Sequence, residues 1–228
     1  MTKIKNIIRK FNAFTLAEVL ITLTIIGVVA SITVPTLSRN ATNHTTITTL
    51  KSTYSILSQA IHRAQADYGD ASEWTTERWT EQGAIDIAEK LKPYLKIAKD
   101  CGTYDEKMEC LNYEHVVQKN GIISEIDLPK DRRYYKFVLN NGVLVRLKAT
   151  DTGEHANGSA FVFFVDVNGY AKPNKVSVDN FSFSFENNKL IPWGSPTSHY
   201  PYERECLPKT ASGYGCAYYV LTTGKMDY

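Results

Sequence analysis

Four cysteines, five histidines and one acid inside an apolar stretch are the side chains of this 228-residue chain whose types and spacing could do chemistry. The cysteines form two local pairs, Cys101 with Cys110 and Cys206 with Cys216. A zinc site would need a C-x2-C spacing or histidines at ligand spacing, and neither pair has either. An even count behind a membrane-grade segment fits two disulfides, Cys101–Cys110 and Cys206–Cys216, in an oxidising compartment. Buried free thiols are the remaining alternative. The histidines, His44, His62, His115, His155 and His199, stand in no metal-spaced motif and beside no Ser or Cys in a nucleophile setting. A phosphate loop and a dinucleotide fingerprint are also lacking. The chain is therefore expected not to be an enzyme, and no catalytic residue is assigned.

One turn gathers oxygen ligands. D-V-N-G-Y-A-K-P-N-K-V-S-V-D, residues 166–179, holds Asp166, Asn168, Asn174 and Asp179 around a Gly and a Pro. Calcium takes 6–8 oxygens, but this run lacks the third acid and the distal Glu of a calcium loop. The same residue types dominate ordinary turns. No cofactor is expected, and calcium on these four residues is the minor alternative.

Composition bounds the rest. With 43% hydrophobic and 22% charged residues the chain can build a core. A net charge of +2 is too small to argue for a nucleic-acid partner. Residues 1–13 carry Lys3, Lys5, Arg9 and Lys10 and no acid; beyond them 22 basic residues face 24 acidic ones. The one later basic cluster, K-D-R-R-Y-Y-K at 130–136, starts a strand and reads as solvated charge.

From Phe14 to Leu37 run 24 residues with a single charge, Glu18. At about 1.5 Å per helical residue they span a hydrocarbon core of about 30 Å. The basic residues before them would stay cytoplasmic. A secretory signal fits less well, since its apolar region is shorter and carries no acid. An acid costs about 2.5–3.5 kcal/mol deep in a bilayer, so Glu18 calls for a partner. A cut between Ala13 and Phe14 would create one, the new α-amine of Phe14 on a second copy. Gly27 and Pro35 interrupt the helix pattern, at about 1 and about 3 kcal/mol against alanine.

The stretch A-F-T-L-A-E-V-L-I-T-L-T-I-I-G-V-V-A-S-I-T-V-P, residues 13–35, resembles the N-terminus of type IV prepilins and type II secretion pseudopilins. A short basic leader, a small residue, F-T-L-x-E and about twenty apolar residues carry the likeness, which covers residues 1 to about 40. It implies a structural subunit of a pilus or pseudopilus. In that family a prepilin peptidase cuts before the Phe and methylates the new amine. Carried over, Ala13–Phe14 is the scissile bond, Phe14 the methylated residue and Glu18 the assembly glutamate. Ala13 stands where the family usually has Gly. Gly27 and Pro35 would let the packed helix extend in the filament. The implied partners are the prepilin peptidase, other pilin or pseudopilin subunits and an inner-membrane assembly platform. The implied location is the bacterial inner membrane, single-pass, with the C-terminal domain periplasmic or extracellular. The alternative is a membrane-anchored or minor-pilin binding module for adhesion or DNA uptake.

The remaining elements follow from periodicity. Ile47, Leu50, Tyr54, Leu57, Ile61, Ala64 and Tyr68 recur at steps of 3 and 4, one stripe of a helix ending at Gly69. A short helix is expected over 85–95, and Trp74 and Trp79 as core plugs. Residues 134–192 read as a β-meander with an N-N-G hairpin turn. N-F-S-F-S-F alternates, so Phe181, Phe183 and Phe185 should face the helix, with Ser182 and Ser184 outward. The Tyr-rich tail should cover the sheet's end, closed by Cys206 and Cys216 as pilins often are. The expected organisation is a leader at 1–13, a transmembrane and assembly helix at 14–37 and an amphipathic half at 38–69. A connector at 70–133, an antiparallel sheet at 134–192 and the tail at 193–228 follow. The fold class is α+β, pilin-like, a long N-terminal helix on an antiparallel sheet.

Overall fold

The computed structural model describes residues 15–124, 126–150, 160–196, 198 and 200–228. The chain divides into two units, the first ending at Thr42 and the second running from Asn43 to Tyr228.

Helix α1 spans Leu16–Tyr68. In the first unit every described residue, 15–42, is exposed, with Leu, Ile and Val side chains along its length. Its hydroxyls find partners within the helix: Thr22 Oγ1 donates to Val19 O, Thr24 Oγ1 to Leu20 O and Thr33 Oγ1 to Val29 O, at 2.8–3.0 Å. Back-bonding of this kind satisfies these hydroxyls without water. α1 runs through both Gly27 and Pro35. A proline removes one i to i−4 bond, and the turns on either side keep theirs.

In the second unit, α1 buries Thr46, Leu50, Thr53, Leu57, Ala60, Ile61 and Ala64. The buried stripe is rotated from the one expected. Ile47 and Tyr54 are only partly buried and Tyr68 is 47% exposed. The contact line runs instead through small residues, Thr46, Thr53 and Ala60, which let the helix sit close to a surface of phenyl rings.

That surface belongs to six antiparallel strands in sequential order: β1 (Ile97–Gly102), β2 (Tyr135–Leu139), β3 (Leu144–Ala149), β4 (Phe161–Asp166), β5 (Asn180–Glu186) and β6 (Lys189–Pro192). Cross-strand pairing sets Phe161 opposite Phe185, Phe163 opposite Phe183 and Val165 opposite Phe181. Phe161 and Phe185 stack at 4.8 Å. Asn140–Gly142 makes the β2–β3 turn with Gly142 at φ +83°. Asn187 and Asn188, both at positive φ, turn β5 into β6. β1 was not expected. Its sequence, I-A-K-D-C-G, has no apolar alternation, and it pairs with β2 at the sheet edge through two register shifts.

The phenyl face is closed by α1 and by α2 (Glu81–Leu91), which starts four residues before the expected span and gives way to a 3-10 turn at Lys92–Tyr94. Thr80 caps α2 by accepting from the Gly83 amide. Trp74 stacks on Phe161 at 6.0 Å as a core plug. Trp79 is not one; it is half-buried on the other side of the sheet.

The second face corrects a further expectation. Ser182 and Ser184 do not meet solvent; they are 2% and 1% exposed. Residues of the 103–134 connector cover this side with Leu111, Tyr113, Val116, Leu128 and Tyr134, and Tyr214 of the tail packs on the same cluster. The tail also contributes α3 (Tyr202–Glu205) and α4 (Cys216–Thr223), the latter burying Ala217 and Val220 in the phenyl-face core.

Leu57→Ala should lower the unfolding free energy by about 3 kcal/mol with an unchanged denaturant slope, read from urea melts of the full chain in detergent.

Candidate functional site

Two groups of residues are candidates: the N-terminal turn of α1, and a polar layer on the outer face of the sheet. Ala13 and Phe14 lie outside the described residues. Glu18 does not, and it has a partner that periodicity did not reveal. Its Oε2 accepts from the Thr15 amide at 2.9 Å and from Thr15 Oγ1 at 2.8 Å, while the Glu18 amide donates to Thr15 Oγ1 at 3.2 Å. This is a capping box, in which cap hydroxyl and third-position carboxylate each satisfy an otherwise orphan amide. The T-x-x-E spacing was visible in the sequence. A carboxylate here also faces the positive end of the helix dipole. Glu18 is therefore held at the helix start.

Cys101 is bonded to Cys110 and Cys206 to Cys216. Asp105 sits beside the first pair, and together the three are the described residues with clustered metal-ligating atoms. Both sulfurs are committed to each other. The Asp105 carboxylate accepts from the amides of Glu109, Cys110 and Leu111 at 2.7–2.9 Å. The cluster organises a loop. Lys136, fully buried, ties that loop to the sheet by donating to the carbonyls of Thr103, Asp131 and Tyr134 at 2.6–3.0 Å. Burial pulls its pKa down to about 8.

The structure brings Asp166, Asn168, Asn174 and Asp179 to one turn. Asp179 accepts from the amides of Asn174 and Lys175 at 2.8 and 2.6 Å, and from the side-chain amides of Asn168 and Asn180. Asn180 Nδ2 also donates to Asp166 Oδ2 at 2.9 Å, so one amide bridges the two carboxylates. Four N–H donors occupy Asp179, and a cation shared by the two acids would have to displace the bridge. The donor set fits a hydrogen-bonded turn rather than calcium. Burial and then the charge of Asp179 push Asp166 up to about 7. Burial raises Asp179 as well, against the four donors.

The basic cluster at 130–136 is spent on local pairs. Arg133 forks onto Asp131 at 2.6 and 2.9 Å, Arg132 reaches Glu81 at 3.0 Å, and Lys130 reaches Asp127 at 3.1 Å. Of the histidines, His115 Nδ1 lies 3.0 Å from Ile126 O, and His155 and His199 lie outside the described residues.

Two family models match the chain. The one described as a prokaryotic N-terminal methylation motif covers residues 8–34. The other, a family of unknown function, DUF6613, covers residues 36–208. The N-terminus is thus that of the prepilin-type pilins and pseudopilins. The chain belongs to the DUF6613 family, with a methylation-type N-terminal helix ahead of its α+β domain. No curated protein and no solved structure matches it. The apolar half of α1 is long enough to cross a membrane and fits inner-membrane anchoring.

The raised Asp166 pKa has a definite sign. The native state holds the proton more tightly than the unfolded chain, so its stabilisation is complete below about pH 4 and is lost as pH rises through about 7. Stability should fall by about 1–3 kcal/mol between pH 5 and pH 7.5, and Asp166→Asn should flatten that slope in urea melts at the two pH values.

Proposed function

We propose that the chain is a structural subunit of a type IV pilus or a type II secretion pseudopilus. Prepilin peptidase would cut between Ala13 and Phe14 and methylate Phe14, leaving Glu18 as the only charged side chain of the apolar run and the Phe14 α-amine as its countercharge on a neighbouring copy. The observation that carries this reading is the exposed apolar run of α1 behind a methylation motif, with an acid fixed at its start. Exposed Leu, Ile and Val at this density need a non-aqueous neighbour. A bilayer supplies one before assembly, and the helices of other subunits supply one after it. Glu18 then exchanges the Thr15 cap for, or shares it with, the α-amine of the next subunit, which sets axial register. The C-terminal unit, Asn43–Tyr228, would lie on the periplasmic or extracellular side. Partners follow from the same reading: the peptidase, other pilin or pseudopilin subunits, and the inner-membrane assembly platform. A role as a minor-pilin binding module is favoured by one further observation, a cavity in the second unit.

Intact mass with N-terminal fragmentation, on protein from its own host, should give a chain beginning at Phe14 with one added methyl. Ala13→Leu should leave uncut precursor in the membrane, and efficient processing of it would remove the peptidase reading. Glu18→Ala should be processed yet enter filaments at least 10-fold less, read from sheared fractions; normal incorporation would argue against the register role.

A further inference from the structure

The outer face of the sheet holds a buried cation that forms no ion pair among the described residues. Arg146, central on β3, is 5% exposed. It makes one side-chain hydrogen bond, Nη2 to Asn180 Oδ1 at 3.3 Å, and no ion pair. Its guanidinium carbon lies 5.1 Å from the Phe164 ring centre and 5.9 Å from that of Tyr134. Asp166, a buried acid of this region, feels its charge and shares the Asn180 side chain with it, but forms no ion pair with it. A guanidinium carries five N–H donors, and a buried charge is costly unless paired. Lys148 is on the same face two residues away, its Nζ 3.7 Å from the Trp79 ring centre.

Arg146 lines a cavity of about 210 Å³. Much of the remaining lining is aromatic: Trp193 stacks on Tyr200 at 4.3 Å, and Phe164 and Tyr214 meet Trp193 edge-on at 5.6 and 5.9 Å. Ile126, 37% exposed, stands where the cavity meets the surface, and the exposed Ile122 and Ile123 precede it in the same loop. A small apolar cavity of about 150 Å³ can admit benzene, so this one has room for a single ring bearing a carboxylate. Arginine's planar fork matches a carboxylate in bidentate fashion, and flat aromatic walls favour a flat body.

We propose that this cavity binds a small planar carboxylate, a one-ring aromatic or heteroaromatic acid, with its carboxylate on Arg146 and its ring against Trp193 and Phe164. The site lies wholly within the Asn43–Tyr228 unit and does not depend on the filament reading.

The test titrates the full chain in detergent micelles with sodium benzoate, benzamide and sodium phosphate, following the Trp193 indole and Arg146 guanidinium signals by NMR. Benzoate should shift both with a dissociation constant on the order of 1 mM or tighter. Benzamide, the same shape without the charge, should bind at least 10-fold more weakly, and so should phosphate, the charge without the ring. Arg146→Met, an apolar chain of similar reach, should weaken benzoate at least 10-fold at an unchanged melting temperature. No shift with benzoate, or equal binding of benzoate and benzamide, overturns the carboxylate site. Phosphate binding as well as benzoate overturns the role of the aromatic wall. Should Arg146→Met fail to fold, the three-ligand comparison on the unmodified chain still decides.

Discussion

Phe161 and Phe163 on β4 and Phe181, Phe183 and Phe185 on β5 put five rings on one face of two paired strands. Removing each from water contributes about 1.5–3 kcal/mol, and no isolated sheet could hide them. The second half of α1 and all of α2 are positioned by this demand. Small residues on α1, Thr46, Thr53 and Ala60, allow close approach, while Leu50, Leu57 and Ile61 fill between the rings. Tyr54 joins the two layers twice, with its ring 5.6 Å from Phe183 and its hydroxyl donating to Leu190 O.

The opposite face is governed by polar satisfaction. Lys136, Arg146, Asp166, Asn180, Ser182 and Ser184 all lie buried there. Lys136 is satisfied by three carbonyls, and Asp166 and Asp179 share an amide. The connector and the tail that close this face carry both disulfides, so covalent links hold the cover where apolar area alone is modest. A polar layer under such a cover is expensive unless satisfied. Arg146 makes one hydrogen bond there and lines the cavity together with Asn180 and Ser182.

The first unit answers to a different solvent. Along the apolar run of α1, threonine hydroxyls are satisfied by backbone carbonyls one turn away and Glu18 by Thr15. That self-sufficiency suits a helix that must remain folded in lipid and against like helices.

Locally encoded features were legible in the sequence. The apolar run with Glu18, the extent of the helix to Tyr68, and the meander from 134 to 192 with its N-N-G turn each depend on residues a few positions apart. Chain periodicity records such contacts directly. The T-x-x-E box was equally local and legible, though stripe counting passed over it. Other features were set by partners distant in sequence. β1 exists because β2 offers it an edge, not because I-A-K-D-C-G prefers a strand. The helix stripe turned toward Thr46 and Thr53 because phenyl rings needed room. Ser182 and Ser184 looked outward by alternation, yet the aperiodic segment from 103 to 134 covers their face. Alternation separates the two faces of a strand; whether the second meets water is decided by chain far away in sequence, and only tertiary packing fixes that.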